Sequence, residues 1–127
     1  MLMMRRIEET DHGYIMDTFR RGTPTVDTGV PESVVTGLFL ACLNRWDGLV
    51  ACDTETPSEI IGWIVFKPAS NVIAWVYVRA GFRNKSIGHM LVLAATPALD
   101  IVAPFVNYRY IRKGLLAVSH RPLTSLT

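Results

Sequence analysis

The sequence is poor in the residues that build metal centres and disulfide frameworks. It has only two cysteines, Cys42 and Cys52, with neither a C-x-x-C spacing nor paired histidines near them. Both lie in apolar stretches, so we interpret them as reduced thiols of the core rather than as metal ligands. This composition predicts no metal cofactor.

Long apolar runs and a strong charge bias are also missing. No uninterrupted apolar stretch reaches the roughly 18 residues that a membrane-spanning helix needs. The formal net charge is only +2, and the basic residues are scattered along the chain rather than massed in one block. Such a distribution does not require a nucleic acid as partner. We therefore expect a soluble, cytoplasmic protein that binds neither membrane nor nucleic acid.

What the chain does have is enough apolar residues to build a core. Its 127 residues, 50% of them hydrophobic, fit a single compact domain spanning residues 1–127. It contains no internal repeat and no low-complexity segment. The chain can therefore be divided into elements at its turn residues.

The N-terminal part predicts one strand followed by two helices. Residues 5–10 fit a first strand, and Asp11 is a suitable cap for a helix that ends before Gly22. In residues 31–45 the apolar side chains recur at three-and-four spacing, which predicts a second, amphipathic helix with Pro31 in its first turn.

Three strands should follow a turn at Asp47 and Gly48. Residues 49–54, 60–67 and 72–78 are rich in β-branched and aromatic side chains. The connections between them, residues 55–59 and 68–71, are short and turn-like, which predicts an antiparallel meander. Trp63 and Trp75 are expected in the core, because the last two strands leave few polar positions on either face.

The remaining chain predicts a helix, a strand, a helix and a strand. Apolar spacing indicates a helix through residues 87–94, which Pro97 should stop. Residues 99–103 fit a strand, residues 104–113 a helix that ends at Gly114, and residues 115–118 a final strand.

The segment between Val78 and the helix that begins near Ser86 has the features of an anion site. The first amides of a helix have no intrahelical partner and carry the positive end of its dipole. Arg83 and Lys85 add positive charge, while the small Ser86 and Gly88 allow a phosphate to come close. His89, on the first helical turn, is expected to be a solvated surface residue.

Residues 83–88, with the sequence RNKSIG, resemble the signature of the GCN5-related N-acetyltransferase (GNAT) family. That signature is Arg or Gln, two residues, Gly, one residue, and Gly or Ala; Ser86 replaces the first glycine. A second feature of the family is a tyrosine followed four residues later by Gly and an apolar residue, and it is matched by Tyr110, Gly114 and Leu115. The resemblance covers about residues 59–115, and only the order of elements supports it before that.

The resemblance implies a fold, a cosubstrate and a set of contacts. The fold would be α/β (α+β), with a mixed, mainly antiparallel central sheet flanked by helices. The cosubstrate would be acetyl-coenzyme A (acetyl-CoA), without a metal, held through its pyrophosphate and pantetheine groups. The cofactor-binding residues carried over from the family pattern are Tyr77, Val78, Arg79, Arg83, Asn84, Lys85, Ser86, Ile87 and Gly88.

The same resemblance implies the transfer of an acetyl group to a primary amine of a small molecule or a peptide. The neutral amine would attack the thioester directly, a backbone amide within residues 77–79 would stabilise the oxyanion, and Tyr110 would protonate the departing thiolate. Asp53, Glu55 and Glu59 are expected at the surface, where one of them could steer a cationic amine.

Two departures from the family pattern keep a second interpretation open. Residues 72–78 lack the carboxylate that often serves as general base in the family, and only residues 120–127 remain where a loop and a final strand are usual. With the C-terminus shortened in this way, either residues 122–126 form a stub of that strand or a second copy of the chain completes the sheet as a homodimer. The alternative function is a non-catalytic structural or interaction module that binds acetyl-CoA weakly or not at all.

Overall fold

A computed structural model describes residues 1–22, 31–67, 72–95, 101–103 and 118–120. The elements in chain order are β1 (Leu2–Arg6), a 3₁₀ turn (Glu9–Asp11), α1 (His12–Gly22), α2 (Glu32–Arg45), β2 (Asp47–Asp53), β3 (Thr56–Lys67), β4 (Val72–Val78), a second 3₁₀ turn (Ala80–Phe82), α3 (Ile87–Ala95), β5 (Ile101–Ala103) and β6 (Val118–His120). No helix within these ranges is long and apolar enough to cross a membrane.

The six strands form one mixed sheet in the order β1-β2-β3-β4-β5-β6. The first four strands are antiparallel neighbours, which confirms the predicted meander. β5 then lies parallel to β4, and β6 lies parallel to β5. This architecture confirms the predicted fold class, a mainly antiparallel sheet flanked by helices.

Each face of the sheet carries its own apolar cluster. On one face α1 and α2 pack through Phe19 and Phe39, whose rings stack at 3.8 Å, against Trp63 and Trp75. On the other face Leu91 and neighbouring residues of α3 pack against Ile64 and Val76. Trp63 is 0% and Trp75 6% exposed, so both predicted core positions are confirmed.

The alternation of β4 between these two faces is broken once. The register with β3 shifts between Val65 and Phe66. Trp75 lies opposite Val65 and Ile73 lies opposite Phe66, so Ala74 between them has no partner on β3. Ala74 and Trp75 consequently lie in the same cluster beneath α1 and α2. Beyond this bulge Val76 and Val78 belong to the α3 face and Tyr77 to the α1 face.

The first strand was predicted too late in the sequence. β1 covers Leu2–Arg6, and residues 9–11 form the 3₁₀ turn instead of the end of a strand. The cause is Asp11, whose carboxylate accepts hydrogen bonds from the Glu8 N–H at 2.8 Å and from both terminal nitrogens of Arg5 at 2.7 and 2.9 Å. These bonds hold the chain in a turn that leads into α1.

The prediction of a loop at residues 55–59 is also wrong, because β3 begins at Thr56. The Asp53 carboxylate accepts the Glu55 N–H at 2.9 Å and closes a tight connection, which leaves Thr56 opposite Asp53. Pro57 is tolerated since the register of β2 and β3 is irregular on both sides of Cys52. The predicted turn at Asp47 and Gly48 is likewise part of a strand, β2.

The helices and the remaining strands lie close to where they were predicted. α2 begins after Pro31, whose carbonyl accepts the N–H groups of Val34 and Val35. β6 starts at the last residue of the predicted strand 115–118 and continues to His120, so the predicted end was too early. The predicted helix 104–113, with Tyr110, lies outside the described residues. Cys42 and Cys52 are both buried and free, as expected.

Candidate cofactor-binding and active site

At the end of β4 the N–H and C=O groups of one residue point away from β3. The Arg79 N–H donates to the Ile61 carbonyl at 2.7 Å, and the register places Val78 opposite Gly62 and Tyr77 opposite Trp63. In an antiparallel ladder hydrogen-bonded and non-hydrogen-bonded pairs alternate, so Val78 is a non-hydrogen-bonded position. Its N–H and C=O therefore point to the outer edge of β4.

In the described part of the chain, β5 pairs with that outer edge at the start of β4. The one register pair between the two strands is Val72 with Val102, at the first residue of β4. Among the described residues, Tyr77 and Val78 at the end of β4 pair with β3 alone. An extended polar chain could hydrogen-bond there as an added strand.

The loop after β4 turns sharply before it enters α3. Residues 80–82 form a 3₁₀ turn, and Asn84 and Ser86 have left-handed backbone conformations, with φ of 66° and 63°. α3 then begins at Ile87, and its first intrahelical bond runs from the Met90 N–H to the Ser86 carbonyl at 3.0 Å. The N–H groups of Ile87, Gly88 and His89 therefore precede the first bonded turn and are oriented as donors towards the loop.

This geometry fits a diphosphate group. Three successive amides at the positive end of a nine-residue helix are suited to bind an anion. The exposed Lys85 lies beside them, with its Nζ 5.7 Å from the centre of the Phe82 ring. The residues present can thus hold the pyrophosphate of a coenzyme A molecule.

Arg83 braces the loop against β4. Its Nε donates to the Val78 carbonyl at 2.8 Å, and its guanidinium carbon lies 6.0 Å from the centre of the Tyr77 ring. Arg79 instead extends to Glu59, with 3.1 Å between Nη1 and Oε1. Arg83 therefore links the loop to β4, and Arg79 links the end of β4 to β3.

His89 differs from the expectation of a solvated residue. Its Nδ1 is buried and has no hydrogen-bond partner among the described residues. A buried polar atom without a partner is uncommon in folded proteins. The sequence offered no signal for this, because a single histidine on a first helical turn is most often solvated.

Tyr14 is a residue that the sequence reasoning missed. It lies on α1 beside Tyr77, with the ring centres 6.3 Å apart and the ring planes at 74°. Burial, together with the neighbouring Tyr77 phenol, raises the pKa of Tyr14 to about 12. No local motif marks Tyr14, because its proximity to β4 depends on how α1 packs across the sheet.

The structure brings the predicted cofactor-binding residues together at one place, between the end of β4 and the start of α3. They are Tyr77, Val78, Arg79, Arg83, Asn84, Lys85, Ser86, Ile87 and Gly88. Tyr110 is outside the described part of the chain, so its role stays a prediction. No group of three or more His, Cys, Asp or Glu side chains within the described ranges is placed to hold a metal ion.

Similarity to known proteins is found in structure and not in sequence. No protein-family model matches the chain, and no curated protein is significantly similar to it. Among solved structures, a GNAT family acetyltransferase from Brucella melitensis in complex with acetyl-CoA is 18% identical, with a TM-score of 0.57, over 90% of this chain and 82% of that one. The GNAT family N-acetyltransferase YhbS from Escherichia coli, in complex with CoA, is 20% identical, with a TM-score of 0.52, over 73% of this chain and 53% of YhbS.

These similarities, at low sequence identity, establish the fold. The chain has the fold of the GCN5-related N-acetyltransferases, which confirms the resemblance carried by residues 83–88. A third similar structure is the NatC complex bound to Gag peptide and CoA, at 21% identity and a TM-score of 0.54. The matched part spans about half the length of YhbS and 65% of the NatC chain.

Proposed function

We propose that this protein is an acetyl-CoA-dependent N-acetyltransferase that acts, as a single domain, on a primary amine. The observation that carries the proposal is the segment from Arg83 to His89, which presents three helix-start amides next to the outward-facing N–H of Val78. The crystallised complexes of YhbS with CoA and of the Brucella enzyme with acetyl-CoA support it.

The residues around the loop would divide the binding of acetyl-CoA among them. The amides of Ile87, Gly88 and His89 and the ammonium group of Lys85 would bind the pyrophosphate. The outer edge of β4 would bind the pantetheine arm as an added strand. When bound, the cosubstrate supplies an acetyl group activated as a thioester.

The Val78 amide is the best-placed donor for the developing oxyanion. Its N–H points to the outer edge of β4, whereas the amides of Tyr77 and Arg79 face β3. A fixed backbone donor stabilises negative charge without reorganisation during the reaction. This refines the sequence-based expectation, which left the donor open within residues 77–79.

The acceptor, the assembly and the location of the protein are also part of the proposal. NatC was crystallised with a peptide, and we propose a peptide or a small-molecule amine as acceptor here. We further propose a cytoplasmic protein in which a second copy of the chain completes the C-terminal side of the sheet.

Calorimetry with acetyl-CoA tests the proposal directly. Gly88→Glu adds bulk and negative charge among the helix-start amides and should abolish the heat of binding. Gly81→Glu is the matched control: it adds the same charge in the same loop, at a position where an added Cβ would meet no atom within 4 Å, so binding should persist. Absence of binding to the wild-type protein at millimolar acetyl-CoA would refute the proposal.

A non-catalytic module is the second candidate, because β4 contains no carboxylate to serve as general base. This candidate predicts weak or absent acetyl-CoA binding and no release of CoA with any amine. Assays of CoA release with spermidine, kanamycin and a peptide with a free N-terminus separate the two functions. Turnover with any of these amines excludes the non-catalytic module.

A further inference from the structure

Two tyrosines meet at the C-terminal end of β4 on the face that α1 covers. Tyr14 and Tyr77 approach edge to face at 6.3 Å, and both are half-buried. Burial and the neighbouring Tyr77 phenol raise the pKa of Tyr14 to about 12, so its phenol stays protonated at neutral pH. The site thus offers two neighbouring hydroxyl groups that are partly shielded from water.

A buried hydrogen-bond chain holds this pair in place. Trp63 stacks on Tyr77 with ring centres 5.9 Å apart, and its Nε1–H donates to the Thr18 hydroxyl at 2.9 Å. The Thr18 oxygen lies 2.8 Å from the carbonyl oxygen of Tyr14, to which its hydroxyl donates. These contacts fix the register of α1 over the sheet, so Tyr14 is positioned by the core and not by a mobile loop.

The pair lies next to the peptide group proposed to bind the thioester. Tyr77 directly precedes Val78, and their side chains point to opposite faces of the sheet. α3 and Phe82 of the preceding loop pack on the Val78 face, while the Arg83 guanidinium carbon lies 6.0 Å from the centre of the Tyr77 ring. A nucleophile that approaches the Val78 amide from the α1 face would therefore pass close to Tyr77.

The charges around the pair favour an uncharged amine. The Arg83 guanidinium carbon lies 6.0 Å from the centre of the Tyr77 ring, which places a positive charge beside the pair, whereas the Arg79 guanidinium is paired with Glu59 at 3.1 Å. A positive potential disfavours an ammonium ion relative to the free amine. Only the free amine has the lone pair needed to attack a thioester.

We propose that the hydroxyl groups of Tyr14 and Tyr77 bind the acceptor amine and orient its nitrogen towards the thioester carbon. This inference rests on the proposed function. The hydroxyl oxygens accept hydrogen bonds from the amine N–H groups and stay protonated themselves. In the transfer the carbon–nitrogen bond forms and the carbon–sulfur bond breaks; the nitrogen loses one proton, and the sulfur of coenzyme A gains one.

The test is steady-state kinetics of Tyr14→Phe, Tyr77→Phe and the double variant, with whichever of spermidine, kanamycin or the free peptide gives the fastest CoA release. Each single variant should raise KM for the amine about fivefold to tenfold, the loss expected for one hydrogen bond. KM for acetyl-CoA should change less than about twofold. The double variant should lose less than the product of the single effects, since the hydroxyls act together.

Phe39→Leu is the structural control, because it loosens the aromatic packing beneath α1 without removing a hydroxyl. It should lower the melting temperature and leave KM for the amine within about twofold. If the tyrosine variants keep the wild-type KM for the amine, or raise both KM values equally, this inference is wrong while the proposed function stands. If the wild-type protein fails to bind acetyl-CoA in calorimetry, both are wrong.

Discussion

At the scale of single residues, Ser86 shows how a departure from the family pattern affects the backbone. Its φ of 63° lies in the left-handed region, where a Cβ costs roughly 1 kcal/mol or more. Asn84, with φ of 66°, tolerates the same conformation better because of its short polar side chain. The glycine of the family signature is thus explained by conformation as well as by the space that a phosphate needs.

Ser86→Gly should therefore relieve strain next to the phosphate-binding amides. We expect the free energy of unfolding to rise by up to about 1 kcal/mol, less the entropy that glycine adds to the unfolded chain. Acetyl-CoA should bind as tightly as before or more tightly. Urea denaturation and calorimetry measure the two effects.

Ser86→Ala separates backbone strain from the hydroxyl group. It keeps the Cβ, so it should bind acetyl-CoA like the wild-type protein. A loss of about tenfold in either variant, about 1.4 kcal/mol, would show that the hydroxyl is itself a phosphate ligand or a helix cap.

Tyr110 carries the second prediction at this scale, which depends on the family resemblance alone. Tyr110→Phe retains the ring and removes the hydroxyl proposed to protonate the thiolate, so turnover should fall by about a hundredfold with acetyl-CoA binding nearly intact. Tyr108→Phe is the matched control and should retain full turnover. If Tyr108→Phe loses turnover while Tyr110→Phe retains it, the family pattern has been matched to the wrong tyrosine.

At the scale of elements, the site depends on how closely β3 approaches β4. A Cβ built on Gly62 would lie 2.7 Å from the Tyr77 carbonyl oxygen and 3.4 Å from Leu91 Cδ1. Only a residue without a side chain fits there, directly opposite Val78. The sequence predicted both strands from their β-branched residues, but the need for glycine became evident only from the contact between them.

Gly62→Ala should consequently push the end of β4 away from β3. We expect a loss of about 1 to 3 kcal/mol in the free energy of unfolding, typical of overpacking, and weaker acetyl-CoA binding as Val78 shifts. Gly37→Ala, on the exposed side of α2 with open space around it, is the control. It should stabilise the protein slightly through helix propensity and leave binding unchanged. Equal stability and affinity in both variants would contradict this explanation.

At the scale of the whole molecule, local patterns predicted more of the proposed cofactor loop than of the proposed acceptor side. The loop is contiguous in sequence, so its charge and small residues were visible in residues 83–88. Tyr14 and Glu59 join the site only through packing across the sheet, which no local pattern encodes. The prediction placed β1 too late in the sequence for a similar reason. Asp11 has the residue type of a helix cap, and its bonds to Arg5 form only in the folded chain.

That ion pair gives the stability of the whole fold a specific pH dependence. Arg5 lies on the edge strand and also donates to the Pro57 carbonyl at 3.2 and 3.3 Å, so it ties β1 to β3 and to the turn before α1. The hydrogen bonds from Arg5 hold the pKa of Asp11 below its usual value of 3.8. A depressed pKa means that the carboxylate stabilises the folded state above pH 3.8 and that this contribution is lost as the pH falls below it.

Asp11→Asn should thus be less stable than the wild-type protein by roughly 1.5 to 3 kcal/mol at pH 6, the range for hydrogen bonds to a charged group. The difference should shrink as the pH falls below about 4, because the unfolded wild-type protein then takes up a proton at Asp11 and the ion pair contributes less to stability. Urea denaturation at pH 6, 4 and 2 measures this difference in stability.

Asp53→Asn is the control. The pKa of Asp53 is also lowered, but this carboxylate is exposed at the surface, so its substitution should cost less stability at pH 6. A difference between Asp11→Asn and the wild-type protein that stays constant down to pH 2 would show that the ion pair does not cause the acid sensitivity.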